Sequence, residues 1–146
     1  MKYVALWAGL NFLFQLIWEI LHLRLYTLWD DPDRPYVAWA VLHCTLGDVI
    51  IATAAFVLAA GLFRRADWPM LHPVRGTMTV AVLATMYTVW SEWYNVYRVG
   101  SWAYAPGMPT ISGIGVTPML QWILLAPATV FALRALSGVA AAARIR

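Results

Sequence analysis

The sequence predicts an all-α integral membrane protein, a four-transmembrane-helix bundle with both termini cytoplasmic. Three observations carry that prediction. Of 146 residues, 62% are hydrophobic and only 12% are charged, where a soluble domain carries roughly 25% charged residues. The mean hydropathy is +0.67. Four runs stay apolar over about the 20 residues that a helix needs to cross a bilayer, and the connections between them hold helix-breaking Pro, Gly and Asp. The whole chain reads as one transmembrane domain.

The first span covers about residues 3–25. It follows Lys2 and begins like a secretion signal, but Asn11, Gln15 and Glu19 interrupt it and no small-residue cleavage site follows. TLWDDPDRPY, residues 27–36, then makes a turn. Its Asp30, Asp31 and Asp33 lack the spacing of a calcium loop and read as a solvated turn. The second span covers about 36–63. Its Gly47, Ala52, Ala54, Ala55, Ala59 and Ala60 predict close helix packing. RRADWPMLHPVRG, residues 64–76, is a basic loop, and the third span covers about 77–96. Residues 98–115, RVGSWAYAPGMPTISGIG, are too rich in Gly and Pro for one regular helix. Trp102, Tyr104, Ile111 and Ile114 within them favour burial, which predicts either a flap over the outer mouth or a loop lying flat at the interface. The fourth span covers about 116–136, and SGVAAAARIR extends it or frays.

Charge sets the expected direction. Lys2, Arg64, Arg65, Arg75, Arg134, Arg144 and Arg146 fall at one end, against Arg24, Arg34 and Arg98 at the other. The positive-inside bias makes the first end cytoplasmic. In a bacterial inner membrane, residues 98–115 would then face the periplasm. A net charge of +3 with no basic stripe leaves nothing to grip nucleic acid. The single cysteine, Cys44, forms no internal disulfide and does not report on compartment.

Ionisable residues concentrate in the outer half. Asn11, Gln15, Glu19, His22 and Tyr26 fall within about 80° on a helix, one polar stripe on an apolar rod. Such a stripe faces protein or water rather than lipid. Glu19 lies about 10 Å below the outer end of the first span, with His43 at a similar depth on the second and Glu92 about 8 Å deep on the third. Asp48 sits near the midplane, and Asn95 and Gln121 share the outer level. His43 and Asp48 point about 140° apart, so both reach one cavity only if the second helix is largely buried.

Glu19, His22, His43 and Glu92 are the candidate ligands of a divalent transition metal, since imidazole with carboxylate suits Zn, Fe or Mn. Asp48 and Glu92 are the candidate catalytic groups, with or without a metal. Haem held by His22 and His43 is a further option that the adjacent charges disfavour. Seven of the nine tryptophans lie in the outer half. That bias makes Trp90, Trp93, Tyr94, Asn95 and Gln121 candidates for a cofactor- or ligand-binding wall, beside a role in interfacial anchoring.

Three functions fit these residues. The first is a metal-binding or acid–base membrane enzyme for a lipid-like or small apolar substrate. The second is a small proton- or cation-coupled transporter, for which the inner half offers few polar groups. The third is a non-catalytic subunit of a membrane complex or homo-oligomer, with the polar cluster as a packing core.

Overall fold

The computed structural model describes residues 2–142. Arg144 and Arg146, used above for orientation, lie outside the described residues, as does the side chain of Lys2. The long helices are α1 (Lys2–His22), α2 (Arg34–Phe63), α4 (Pro73–Trp93) and α5 (Val116–Ala142), with a short α3 (Trp68–Leu71) between α2 and α4. The long helices touch in a closed ring, α1 to α2 to α4 to α5 and back to α1. Three of them contain segments long and apolar enough to cross a membrane: Tyr3–Leu25, Arg34–Phe63 and Val116–Gly138. In α4, five Ser and Thr residues with Arg75 and Glu92 dilute the hydropathy. Its Thr77 and Thr79 return their hydroxyls to the helix, at 2.6 Å from Pro73 O and 3.0 Å from Arg75 O. Neither hydroxyl is left without a partner.

Local chemistry explains where the helices begin and end. Asp33 caps α2 by accepting from Tyr36 N at 3.0 Å, and Pro35 sits in the first turn, where a missing N–H costs nothing. The helix therefore starts two residues earlier than expected. It stops at Arg64, whose left-handed φ of 53° turns the chain. Pro73 opens α4, so the third span begins before residue 77. Beyond Trp93 the helix widens into a π turn, Tyr94–Val99, and Gly100 ends it at φ 71°.

The surface and interior are inverted relative to a soluble domain. Leu13, Ile20, Ile50, Leu62, Met86 and Phe131 are among many exposed large apolar side chains. Asn11, Gln15, Glu19, His22, Glu92 and Gln121 are buried. Exposed apolar faces around a polar interior suit a lipid surround.

The apolar core fills the half of the bundle that carries α3, termed the inner half, and the end that carries residues 98–115 is termed outer. Trp7, Phe56 and Trp68 are fully buried, with ring centroids 5.1–5.9 Å apart. Trp7 Nε1 donates to Ala52 O at 3.0 Å and Trp68 Nε1 to Phe56 O at 3.4 Å. The basic loop of the sequence is thus partly an inward plug: α3 touches α2, α4 and α5, and Arg134 donates to Pro69 O at 2.8 Å. Gly76 permits that plug, because a Cβ there would overlap the Trp68 ring. Gly76→Ala is expected to cost about 1–3 kcal/mol through overpacking. Thermal unfolding in detergent reads this; an unchanged midpoint would contradict the packing.

The outer connections are tied together. Thr27 N donates to Ala103 O at 3.0 Å and Ala105 N to Leu25 O at 2.9 Å, flanking a bridge between Tyr26 and Tyr104. Beyond it, β1 (Thr110–Ile111) and β2 (Ile114–Gly115) form a hairpin. Ser112 and Gly113 turn that hairpin at φ 52° and 82°. The fold is therefore helical with one small hairpin. Ile114 and Met108 are buried, whereas Ile111, expected to be buried, is 62% exposed.

Candidate functional site

The polar stripe of α1 faces the interior of the outer half, and α2, α4 and α5 meet it there. Gln121 is the central tie. Its Nε2 donates to Gln15 Oε1 at 2.6 Å and to Asp48 Oδ2 at 2.7 Å, using both amide hydrogens. The carboxyls of Glu19 and Asp48 face the same cavity, Asp48 held there by Gln121. His22 Nε2 lies 3.7 Å from Glu19 Oε1, one helical turn along α1.

Glu92 is held differently. Its Oε2 accepts from Tyr104 OH at 2.6 Å and from Tyr26 OH at 3.3 Å. Tyr104 is fixed in turn by Gly115 N, which donates to its hydroxyl at 2.9 Å. Burial, with the Glu92 carboxyl beside it, holds the Tyr104 phenol above its ordinary range, so it remains a donor. The segment of residues 98–115 reaches the site through Tyr104 at Glu92 and through Ser101 and Trp102 on the cavity lining. Tyr104→Phe is expected to remove a bond of about 1.5–3 kcal/mol. Amide exchange at Ala105 and Gly115 should then quicken roughly tenfold or more. Unchanged exchange would show that the flap is held by other contacts.

Glu19, His22, Tyr26, Asp48, Glu92 and Gln121 line a cavity of ≈ 900 Å³. Its floor is Ala55, Leu83 and Ala84, at the top of the packed inner half. Its mouth lies between α2 and α4, where Trp39, Ile50, Leu58 and Tyr87 line the cavity and are still 48–69% exposed. Small side chains, Ala52, Ala55 and Ala59 on α2 and Ala84 on α4, belong to the apolar core beside the cavity. At the mouth the two helices leave a gap that opens sideways, toward the exposed apolar faces. Gly47 lines this gap with nothing within 4 Å of where its Cβ would stand. It serves the cavity and not the close packing expected of it.

Of the expected metal ligands, Glu19, His22, His43 and Glu92 all line the cavity. They do not converge. His43 is exposed at the rim, stacked on Trp39 with centroids 4.8 Å apart. Among the described residues, no three His, Cys, Asp or Glu side chains are grouped to hold a metal ion. Asp48, Asn95 and Gln121 also line the cavity, so His43 and Asp48 reach it together despite their angular separation. Asn95 donates to Ser91 O at 2.9 Å and accepts from Ser101 Oγ at 3.1 Å, joining α4 to the flap.

Trp90, Trp93 and Tyr94 do not line the cavity. They are 43–52% exposed on the outer surface of α4, with Trp90 and Tyr94 stacked at 5.5 Å. The aromatic wall is built instead from Tyr36, Trp39, Tyr87 and Trp102. Tyr26 and Tyr104, as partners of Glu92, were not singled out by spacing. Tyr26 closes the α1 stripe, which was its one signal. Tyr104 lies in an irregular segment whose approach no periodicity reports.

No protein-family model, curated protein or solved structure matches this chain.

Proposed function

We propose that the chain is a four-span integral membrane protein, with both termini in the cytoplasm of a bacterium, whose outer-half chamber is an acid–base active site for a lipid-like or small apolar substrate. The observation that carries this reading is the convergence of Glu19, Asp48 and Glu92, from three helices, on one largely apolar cavity open between α2 and α4. An apolar molecule can enter such a gap from the bilayer without crossing water. Asp48, oriented by Gln121 and facing the same cavity as Glu19, delivers a proton. Glu92, held by two phenols, accepts one. Distinct surroundings for two carboxyl sites are what assigns acid and base roles. The floor and packed inner half keep water and ions from the cytoplasmic side.

That packed half also counts against the transporter reading, since Trp7, Phe56 and Trp68 fill the route inward. The exposed tryptophans of α4 suit anchoring at the outer membrane interface. A metal-dependent variant of the chemistry would need His43 to swing inward from Trp39. Elemental analysis of chelator-washed protein tests that variant: stoichiometric metal lost in Glu19→Gln would favour it over the metal-free mechanism.

The enzymatic reading is tested in deuterium oxide. Protein in nanodiscs of total bacterial membrane lipid is incubated, and the extracted lipids are weighed by mass spectrometry. Acid–base turnover places carbon-bound deuterium in one apolar species. If no species gains deuterium over empty nanodiscs, the enzymatic reading fails.

A further inference from the structure

The electrostatic character of the chamber narrows what can occupy it. Among the described residues, three carboxyl groups line it and no Lys or Arg does. The outer arginines nearest by position are engaged elsewhere. Arg24 lies over Trp29 at 5.6 Å, Arg34 donates to Trp29 O at 3.0 Å, and Arg98 lies over Trp93 at 5.9 Å. The basic groups that the described lining does carry are the imidazoles of His22 and His43. A carboxylate in an apolar surround without a counter-charge is costly. An occupant that brings positive charge relieves that cost, and an anionic head adds to it.

One buried group points to an occupant. His22 is 9% exposed and lines the cavity, yet its Nδ1 has no hydrogen-bond partner. At the mouth, the rings of Tyr36, Trp39 and Tyr87 line the cavity, and aromatic rings attract an organic cation. The volume of ≈ 900 Å³ far exceeds an inorganic ion and suits a molecule with a tail.

We propose that the chamber binds a lipophilic amine, its apolar tail in the gap between α2 and α4 and its protonated nitrogen among Glu19, Asp48 and Glu92. This rests on the acid–base reading and names the substrate class of the same site. The ring faces at the mouth pass the cationic head inward, and the carboxyls replace its water.

The test ranks three probes of equal tail length, dodecylamine, dodecanol and dodecanoate, by saturable binding to the wild-type protein in zwitterionic nanodiscs, with empty nanodiscs subtracted. The amine should bind at least tenfold tighter than the alcohol, and the carboxylate weakest. In Glu92→Gln, and separately in Asp48→Asn, the advantage of the amine should shrink roughly tenfold. If either variant fails to fold, the wild-type ranking decides alone. Equal affinities, or a preference for the carboxylate, would overturn the amine while leaving an apolar chamber in place. No saturable binding of any probe would remove the chamber as a binding site and the enzymatic reading with it.

Discussion

Asp48→Asn is expected to lower solvent deuterium incorporation by about 10²–10⁴-fold, the usual contribution of a positioned acid or base. The substitution is nearly isosteric. An Asn oxygen still accepts from Gln121 Nε2, which now sits 2.7 Å from Asp48 Oδ2. The tie among α1, α2 and α5 through Gln15 and Gln121 therefore survives, and the fold with it. The capacity to hold and release a proton opposite Glu19 is what is lost. Glu19→Gln should act in the same direction. The double variant should be little worse than either single one if the two carboxyls, which face one cavity, act as a unit. Additive losses would mean that the two carboxyls work separately.

Gly47→Leu is expected to weaken binding of any tailed ligand roughly a hundredfold or more, without loss of stability. Nothing stands within 4 Å of the position a Cβ would take, so the new side chain enters the chamber and not a neighbour. It displaces about four methylenes of a ligand tail, each contributing about 0.8 kcal/mol. The total of about 3 kcal/mol is more than two decades in affinity. Replacing a helical glycine also favours the helix by up to about 1 kcal/mol. Unfolding temperature should hold or rise while affinity collapses, a combination that a merely disruptive substitution does not produce. An unchanged affinity would place the ligand elsewhere.

Much of the site was legible because it obeys helical periodicity. Asn11, Gln15, Glu19 and His22 recur at three or four residues, and all four are buried. Depth counted from the helix ends also placed Asp48, Glu92 and Gln121 in one half of the bundle, and all three line the cavity with Glu19. What was not legible depends on contacts that no period encodes. Trp68 sits in a run with three arginines and a histidine, and only the bare backbone of Gly76 lets it turn inward. Tyr104 reaches Glu92 because residues 103–105 pair with 25–27, a contact between connections far apart in sequence. Trp90 and Trp93 flank Ser91 and Glu92, and composition alone does not say which of these neighbours turns inward. The structure turns Ser91 and Glu92 in and leaves both rings out. Gly47 reads as a packing residue in a small-residue stripe, yet it marks open space.

The lateral chamber itself is tested most directly by finding where a photoreactive long-chain amine becomes attached to the protein in a bilayer. The geometry predicts attachment confined to the outer halves of α2 and α4, at Cys44, Asp48, Ser91 and Glu92, and suppressed by Gly47→Leu. Attachment spread over the outward apolar faces near Leu13 and Phe131, and indifferent to Gly47→Leu, would contradict it.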